Sequence, residues 1–144
     1  MALGSRLKAV DQKLHEKIAA RAALVNVQVV RGDPLDNIEH ESIWIDRLWM
    51  PDERPVTFGQ QKLDPTVVAE IWVKVKQQGD AAPGLRDRAW DLLDEVSEAV
   101  RLNGNLDGEV LTLMSMGATQ FDYGESEGRV CAIRLDVTYY ARKG

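Results

Sequence analysis

Two histidines, one cysteine and 23 carboxylates are the groups in this 144-residue chain that could do chemistry, and their spacing decides which chemistry. His15 lies between Leu14 and Glu16 on an amphipathic stretch where potential partners are scarce, which reads as a partly exposed structural histidine. His40 sits between Glu39 and Glu41, a trio that could gather a divalent ion. On an extended strand, however, successive side chains point to opposite faces, so His40 would turn away from both carboxylates. Asn103, Asn105, Asp107 and Gly108 imitate the opening of a calcium-binding EF-hand loop. The twelfth position, where a bidentate Glu must close the shell, is Met114, so a plain turn is the better reading. Asp91, Asp94, Glu95 and Glu98 fall on one face of a predicted helix. Such a run is ordinarily a solvated face, and its functional alternative is a charged contact with a partner. Cys131 has no disulfide partner and no nearby histidine, and its apolar alternating surroundings suit a core thiol in a reducing compartment. A Gly-rich phosphate loop, a Gly-x-Ser-x-Gly elbow, a His-Glu-x-x-His run and a Cys-x-x-Cys pair are all missing from the sequence. The chain therefore reads as a structural or binding subunit and not an enzyme, with neither metal nor cofactor expected.

What the catalytic schemes leave over is aromatic. Trp44 and Trp72 alternate with aliphatic residues, so each falls on the strand face opposite Ile43/Ile45 or Ile71/Val73/Val75. Trp49 and Met50 open a proline-rich segment that also holds Arg54 and Phe58. Aromatic residues, Met and Arg are the types enriched in interface cores, so these six are the candidate contact residues. The alternative for Trp44 and Trp72 is internal burial beneath the first helix.

The elements that must position them follow from hydrophobic periodicity. Leu7, Val10, Leu14 and Ile18 recur at helical spacing over Ser5–Ala23. Val25, Val27 and Val29 then alternate as a half-buried strand, ended by Gly32-Asp33-Pro34. A second strand is predicted over Glu41–Leu48, with Trp44 and Asp46 on one face. The stretch Pro55–Lys62 reads as part of a protruding hairpin or loop. Thr66–Lys76 alternates at period two, and Gln77–Pro83 connects it to a helix over Gly84–Asn103. That helix carries the apolar stripe Leu85, Ala89, Leu92, Leu93, Val96 and Val100. Pro83 suits its first position, Asp87 its dipole near the start and Arg101 near the end, and Gly104 a left-handed stop. Two strands are then expected, Glu109–Met116 and a shorter Thr119–Tyr123. After a polar turn comes a long strand, Arg129–Arg142, with Cys131, Ile133, Leu135, Val137, Tyr139 and Ala141 on one face and Arg134, Asp136 and Thr138 on the other. This order predicts an α+β fold: a mostly antiparallel sheet with two main helices packed on one face, plus the protruding hairpin or loop.

Bulk properties agree. At 144 residues the chain fits one domain spanning 1–144, long enough to bury a core without disulfides or metal. The 44% hydrophobic and 28% charged content is that of a folded globular chain. A net charge of −5 with 18 scattered basic residues argues against specific nucleic-acid binding. Nothing in the sequence approaches the roughly 18–20 apolar residues needed to cross a bilayer, and Met1–Ser5 does not pattern as a signal peptide, so no membrane is expected.

In order along the chain, a helix running into LVNVQVVRGDP (Leu24–Pro34), then ESIWID (Glu41–Asp46) and a long hairpin-like segment, then TVVAEIWVKVKQQGD (Thr66–Asp80) leading into RAWDLLDEVSEAV (Arg88–Val100), then GRVCAIRLDVTYYAR (Gly128–Arg142), cover most of the sequence. This succession resembles the tail terminator proteins of long-tailed phages and the related neck and tail-to-head joining proteins. The resemblance implies a structural virion protein of the tail or neck, assembled in the host cytoplasm. It would form a six-membered homo-oligomeric ring that stops growth of the tail tube, with the tail tube protein and the head-tail connector protein as partners. DNA would pass through such a ring, and an acidic lining would keep it from sticking. On this view Trp49–Lys62 supplies one side of a contact. A neck component with other mating surfaces, a small-ligand-binding α+β domain lined by Trp44 and Trp72, and a two-fold dimeric accessory protein are the competing expectations.

Overall fold

The structure, a computed structural model, describes residues 3–34, 40–51, 65–77, 82–125 and 128–141. Its elements are α1 (Leu3–Ala19), β1 (Gln28–Arg31), β2 (Glu41–Trp49), β3 (Thr66–Gln77), α2 (Ala82–Leu102), β4 (Val110–Glu125) and β5 (Gly128–Ala141). The five strands form one sheet in the order β1-β2-β3-β5-β4. β1 runs parallel to β2, and the other three neighbouring pairs are antiparallel. The fold is α+β, a mostly antiparallel sheet with both helices on one face, and the predicted hairpin over Pro55–Lys62 lies outside the described residues.

Periodicity builds the core. Val10, Leu14 and Ile18 of α1 and Leu85, Ala89, Leu92, Val96 and Val100 of α2 are buried, while Leu93 is only half-buried. Both stripes pack into one cluster with alternate residues of the sheet: Ile43 and Ile45, then Val67 to Val75, then Cys131 to Ala141. β3 and β5 lie side by side without interruption from Thr66↔Tyr140 to Gln77↔Arg129, so their buried faces reinforce each other along the whole pair.

The edges of the fold depart from the sequence expectation. β1 begins three residues later than predicted, because a 3-10 turn over Ala22–Leu24 buries Leu24 and leaves Val25 79% exposed. Positive φ at Gly32 then ends the strand. Asp46 sits at a bulge between Ile45 and Arg47, which breaks the simple alternation of β2. α2 begins at Ala82, so Pro83 is its second residue, and no acidic side chain occupies its first turn, Asp87 included.

Gly104 does not take the left-handed conformation expected at the end of α2. Asn103 closes that end by donating Nδ2–H to the Ala99 carbonyl at 2.7 Å. The left-handed residues come later, Leu106 at φ 47, Asp107 at φ 55 and Gly108 at φ 90. Glu109–Met116 and Thr119–Tyr123 are not two strands: β4 runs unbroken through both, with bulges between Val110 and Thr112 and between Leu113 and Ser115.

Among the described core residues, Tyr139 carries an evident flaw. Its side chain is fully buried, its hydroxyl has no hydrogen-bond partner, and burial raises the phenol pKa well above its usual value. An unsatisfied buried hydroxyl costs about 1–3 kcal/mol, so Tyr139→Phe is expected to leave stability unchanged or raise it by roughly 1 kcal/mol. Urea unfolding of the two proteins measures this directly, and a loss of stability would mean that the hydroxyl is bonded.

Candidate functional site

The helix-free face of the sheet holds the aromatic candidates. Because Ile43 and Ile45 point under the helices, Trp44 between them points the other way, and Trp72 does the same among Ile71 and Val73. Trp44 and Trp72 are directly cross-strand partners, stacked at 6.2 Å between centroids and 13° between planes. α1 packs against the opposite face, so it is not what buries Trp44, which is 7% exposed; Trp72 is half-buried.

A third ring completes the row. Phe121 of β4 lies 5.7 Å from Trp72, across β5. Phe121 faces Ala132 on β5 whereas Trp72 faces Arg134, so the two rings meet diagonally over β5, beside the small Ala132. The result is a stripe of stacked rings crossing the sheet from β2 to β4, ending in a Phe121 that is 39% exposed. Phe121 was missed in the sequence because its strand was read as short and separate from the others.

Polar groups fix the rings in place. The Trp72 indole N–H donates to Glu70 Oε1 at 2.8 Å, and Arg47 donates to the other oxygen of Glu70 at 3.3 Å. The Arg47 guanidinium also lies 4.5 Å from the Trp49 ring centroid, a cation–π contact that holds the half-buried Trp49 at the end of β2. Lost hydration, then the nearby Glu70 and Asp33 carboxylates, hold the Asp46 carboxyl above its ordinary pKa. On β5, Arg134 and Asp136 form an ion pair at 3.4 Å on this same face.

Of the remaining interface candidates, Met50 is half-buried and packs against the hydrophobic core. Arg54 and Phe58 lie outside the described residues. The acidic quartet does not act as one free surface. Asp91 and Asp94 are exposed, but Glu95 accepts two bonds from Arg21, at 2.8 and 3.0 Å, tying α2 to the end of α1. Glu98 pairs with Arg101 one turn later.

The other singled-out groups have structural partners. The His15 Nε2–H donates to the Val29 carbonyl at 3.0 Å, fastening α1 to β1. His40 is exposed and its carbonyl accepts the Lys76 N–H at 2.8 Å. Asp107, the would-be calcium ligand, is paired with Lys17 at 2.9 Å and Lys13 at 3.3 Å, and those ammonium groups hold its pKa below the usual value. The Cys131 thiol is fully buried, and burial together with the Asp122 carboxylate pushes its pKa up to about 12, so little thiolate exists near neutrality. Among the described residues no three His, Cys, Asp or Glu side chains converge on a metal position. No described helix is long and apolar enough to cross a membrane.

A cavity of about 640 Å³ lies elsewhere, between the start of α2 and the ends of β2 and β3, with His40, Glu41, Lys76 and Arg88 in its wall and neither tryptophan. Glu41 and Arg88 close one side of it as a two-point ion pair, with 2.9 Å from Arg88 Nη2 to Glu41 Oε1. That pair lowers the Glu41 pKa, so its stabilisation is present above the ordinary carboxylate pKa and is lost as pH falls through the lowered value. Arg88 is 43% exposed, so solvent screening keeps the contribution to a few tenths of a kcal/mol. Glu41→Gln is expected to be slightly less stable than the parent in urea at pH 7, with the difference shrinking as pH falls below the ordinary carboxylate range.

Comparison with known proteins assigns no family: neither a family model nor a curated protein matches this chain.

Proposed function

We propose that this chain is a structural virion protein, a tail terminator subunit that closes into a homo-oligomeric ring, caps the tail tube and joins it to the head connector. The observation that carries a binding role is the helix-free face, where Trp44, Trp72 and Phe121 stack in a row and Arg47 covers Trp49. Stacked aromatics and arginine are what interface cores are made of, and the ion pairs around them resemble a polar rim. The assignment to a phage tail rests on the order of elements, a helix, then strands, then a second helix, then a long hairpin of strands. The net charge of −5 suits a ring through which DNA slides.

The reading is tested by absolute mass from light scattering at two concentrations, with and without Mg²⁺. A species near six times 16.1 kDa supports a closed ring, and addition of assembled tail tubes then tests capping. If Trp49→Ala combined with Phe58→Ala leaves both ring formation and capping untouched, the Trp49–Lys62 segment is not part of the contact. A neck component would share the ring but bind a different neighbour, so binding to tube alone, connector alone or both separates the two. The cavity beside Arg88 is what favours a ligand-binding reading instead. A metabolite retained through purification, or a metal-dependent thermal shift, would move the assignment there.

A further inference from the structure

The two edges of the sheet are protected unequally. An edge strand exposes unpaired N–H and C=O groups, and natural edges are kept short, bulged, charged with Lys or interrupted by Pro. β1 has these safeguards. It is four residues long and runs into Gly32-Asp33-Pro34. Gly32 N–H donates to Ile45 of β2, so by alternation Gln28 and Val30 turn their backbone inward while Val29 and Arg31 turn theirs outward. The outward Val29 carbonyl is the one the His15 ring covers.

β4 has few of them. Among the described residues it pairs with β5 alone, and over Val110–Glu125 it contains no Lys, Arg or Pro. Its two bulges lie before Ser115; from Ser115 to Glu125 the register against β5 is unbroken for eleven residues. On the helix side α2 reaches this run through Trp90, which donates to Gln120, and Arg86, which pairs with Asp122, while no described strand lies along its outer edge. Ala118, Thr119, Phe121 and Asp122 are exposed, and a Cβ placed on Gly117 or Gly124 would meet nothing within 4 Å. Leu111 and Met114, the extra residues of the two bulges, stand 54% and 50% exposed just before it.

We propose that Ser115–Glu125 pairs with the same strand of a second copy, antiparallel about a two-fold axis at Gln120. The charge distribution selects this arrangement. The run carries its carboxylates at one end only, Asp122 and Glu125. Antiparallel pairing centred on Gln120 sets Asp122 opposite Ala118 and Glu125 opposite Ser115. A parallel pairing would set each carboxylate against its own copy, which is destabilising. The same register places Phe121 opposite Thr119, a favourable aromatic and β-branched pair. The contact goes beyond the ring reading. Ring closure needs a heterologous interface elsewhere, whereas a two-fold β4 contact joins two free subunits or two rings back to back.

The test uses single-cysteine reporters in the full chain, where the native Cys131 is buried. Gln120→Cys is expected to give a covalent dimer under mild oxidation, because its copy stands directly opposite within disulfide reach; Ala118→Cys, four residues off its own copy, is expected to give little. Ala118→Asp, which sets a carboxylate opposite the Asp122 of the second copy at both ends of the two-fold contact, is expected to weaken self-association about ten-fold by concentration-dependent light scattering, with thermal unfolding unchanged. Absence of the Gln120→Cys cross-link together with no effect of Ala118→Asp overturns the proposal. If a six-membered species persists in that case, the ring reading stands without it. Should Gln120→Cys fold poorly through loss of its bond to Trp90, the Ala118→Asp variant alone decides.

Discussion

Leu106→Ala is expected to destabilise the protein by about 3–4 kcal/mol, more than any surface change considered above. Leu106 is fully buried yet sits at φ 47, in a left-handed conformation that ordinarily disfavours a residue with a Cβ. Burial of the leucyl side chain in the common core is what offsets that local cost. Alanine at the same place keeps the backbone strain and loses the burial, so nothing compensates the cavity. The position also matters for the path of the chain. Leu106 lies in the turn that carries the chain from the end of α2 to the first residue of β4, beside the Asp107 contacts with α1. Urea titration at neutral pH should show a lower midpoint with an unchanged slope, the signature of lost stability without loss of cooperativity. A cost under 1 kcal/mol would mean that Leu106 is not held in the core.

How much of this was legible in the sequence depends on whether the determinant was local. The faces of β3 and β5 were readable because each buries one side throughout, so a strict period-two pattern survives from Val67 to Val75 and from Cys131 to Ala141. The α2 stripe was readable for the same reason. The candidate tryptophans were placed on their face by the same alternation, but what they stack on was not visible. Phe121 reaches Trp72 only because β5 inserts between β3 and β4 and sets the two rings diagonally across it, one residue pair apart. That is a topological fact, carried by no short stretch of residues. β4 was split at Gly117-Ala118, two small residues that weaken a strand pattern, although the register against β5 runs through them unbroken, and the bulges at Leu111 and Met114 blur the alternation before them. Parallel pairing of β1 with β2, and the use of Glu95 by Arg21, likewise depend on partners distant in the chain. Gly104 misled because a glycine after a helix usually stops it, whereas here the Asn103 side chain caps α2 and the left-handed turn is built from Leu106 and Asp107.

Trp72→Ala is expected to cost about 2–3 kcal/mol, below the loss for a fully buried tryptophan because this ring is half-buried. Three interactions go at once: the stack on Trp44, the contact with Phe121 and the N–H bond to Glu70. Glu70 is 8% exposed and would be left with Arg47 at 3.3 Å as its remaining described donor, a poor exchange for a carboxylate held out of water. Trp72→Phe separates these effects, since it keeps a stacking ring and removes only the donor; a loss of about 1 kcal/mol is expected from it. A double-mutant cycle of Trp72→Ala with Phe121→Ala should return a coupling of roughly 1 kcal/mol for the tilted ring pair. Zero coupling would dissolve the stripe into independent residues. The stripe also bears on the proposed binding role. Phe121→Ala removes its exposed end and should cost the monomer about the 1 kcal/mol of that ring pair, leaving it folded. If the helix-free face is an interface, that variant self-associates or binds tail tubes more weakly at a temperature where it is fully folded, and an unchanged affinity would remove the face from the contact.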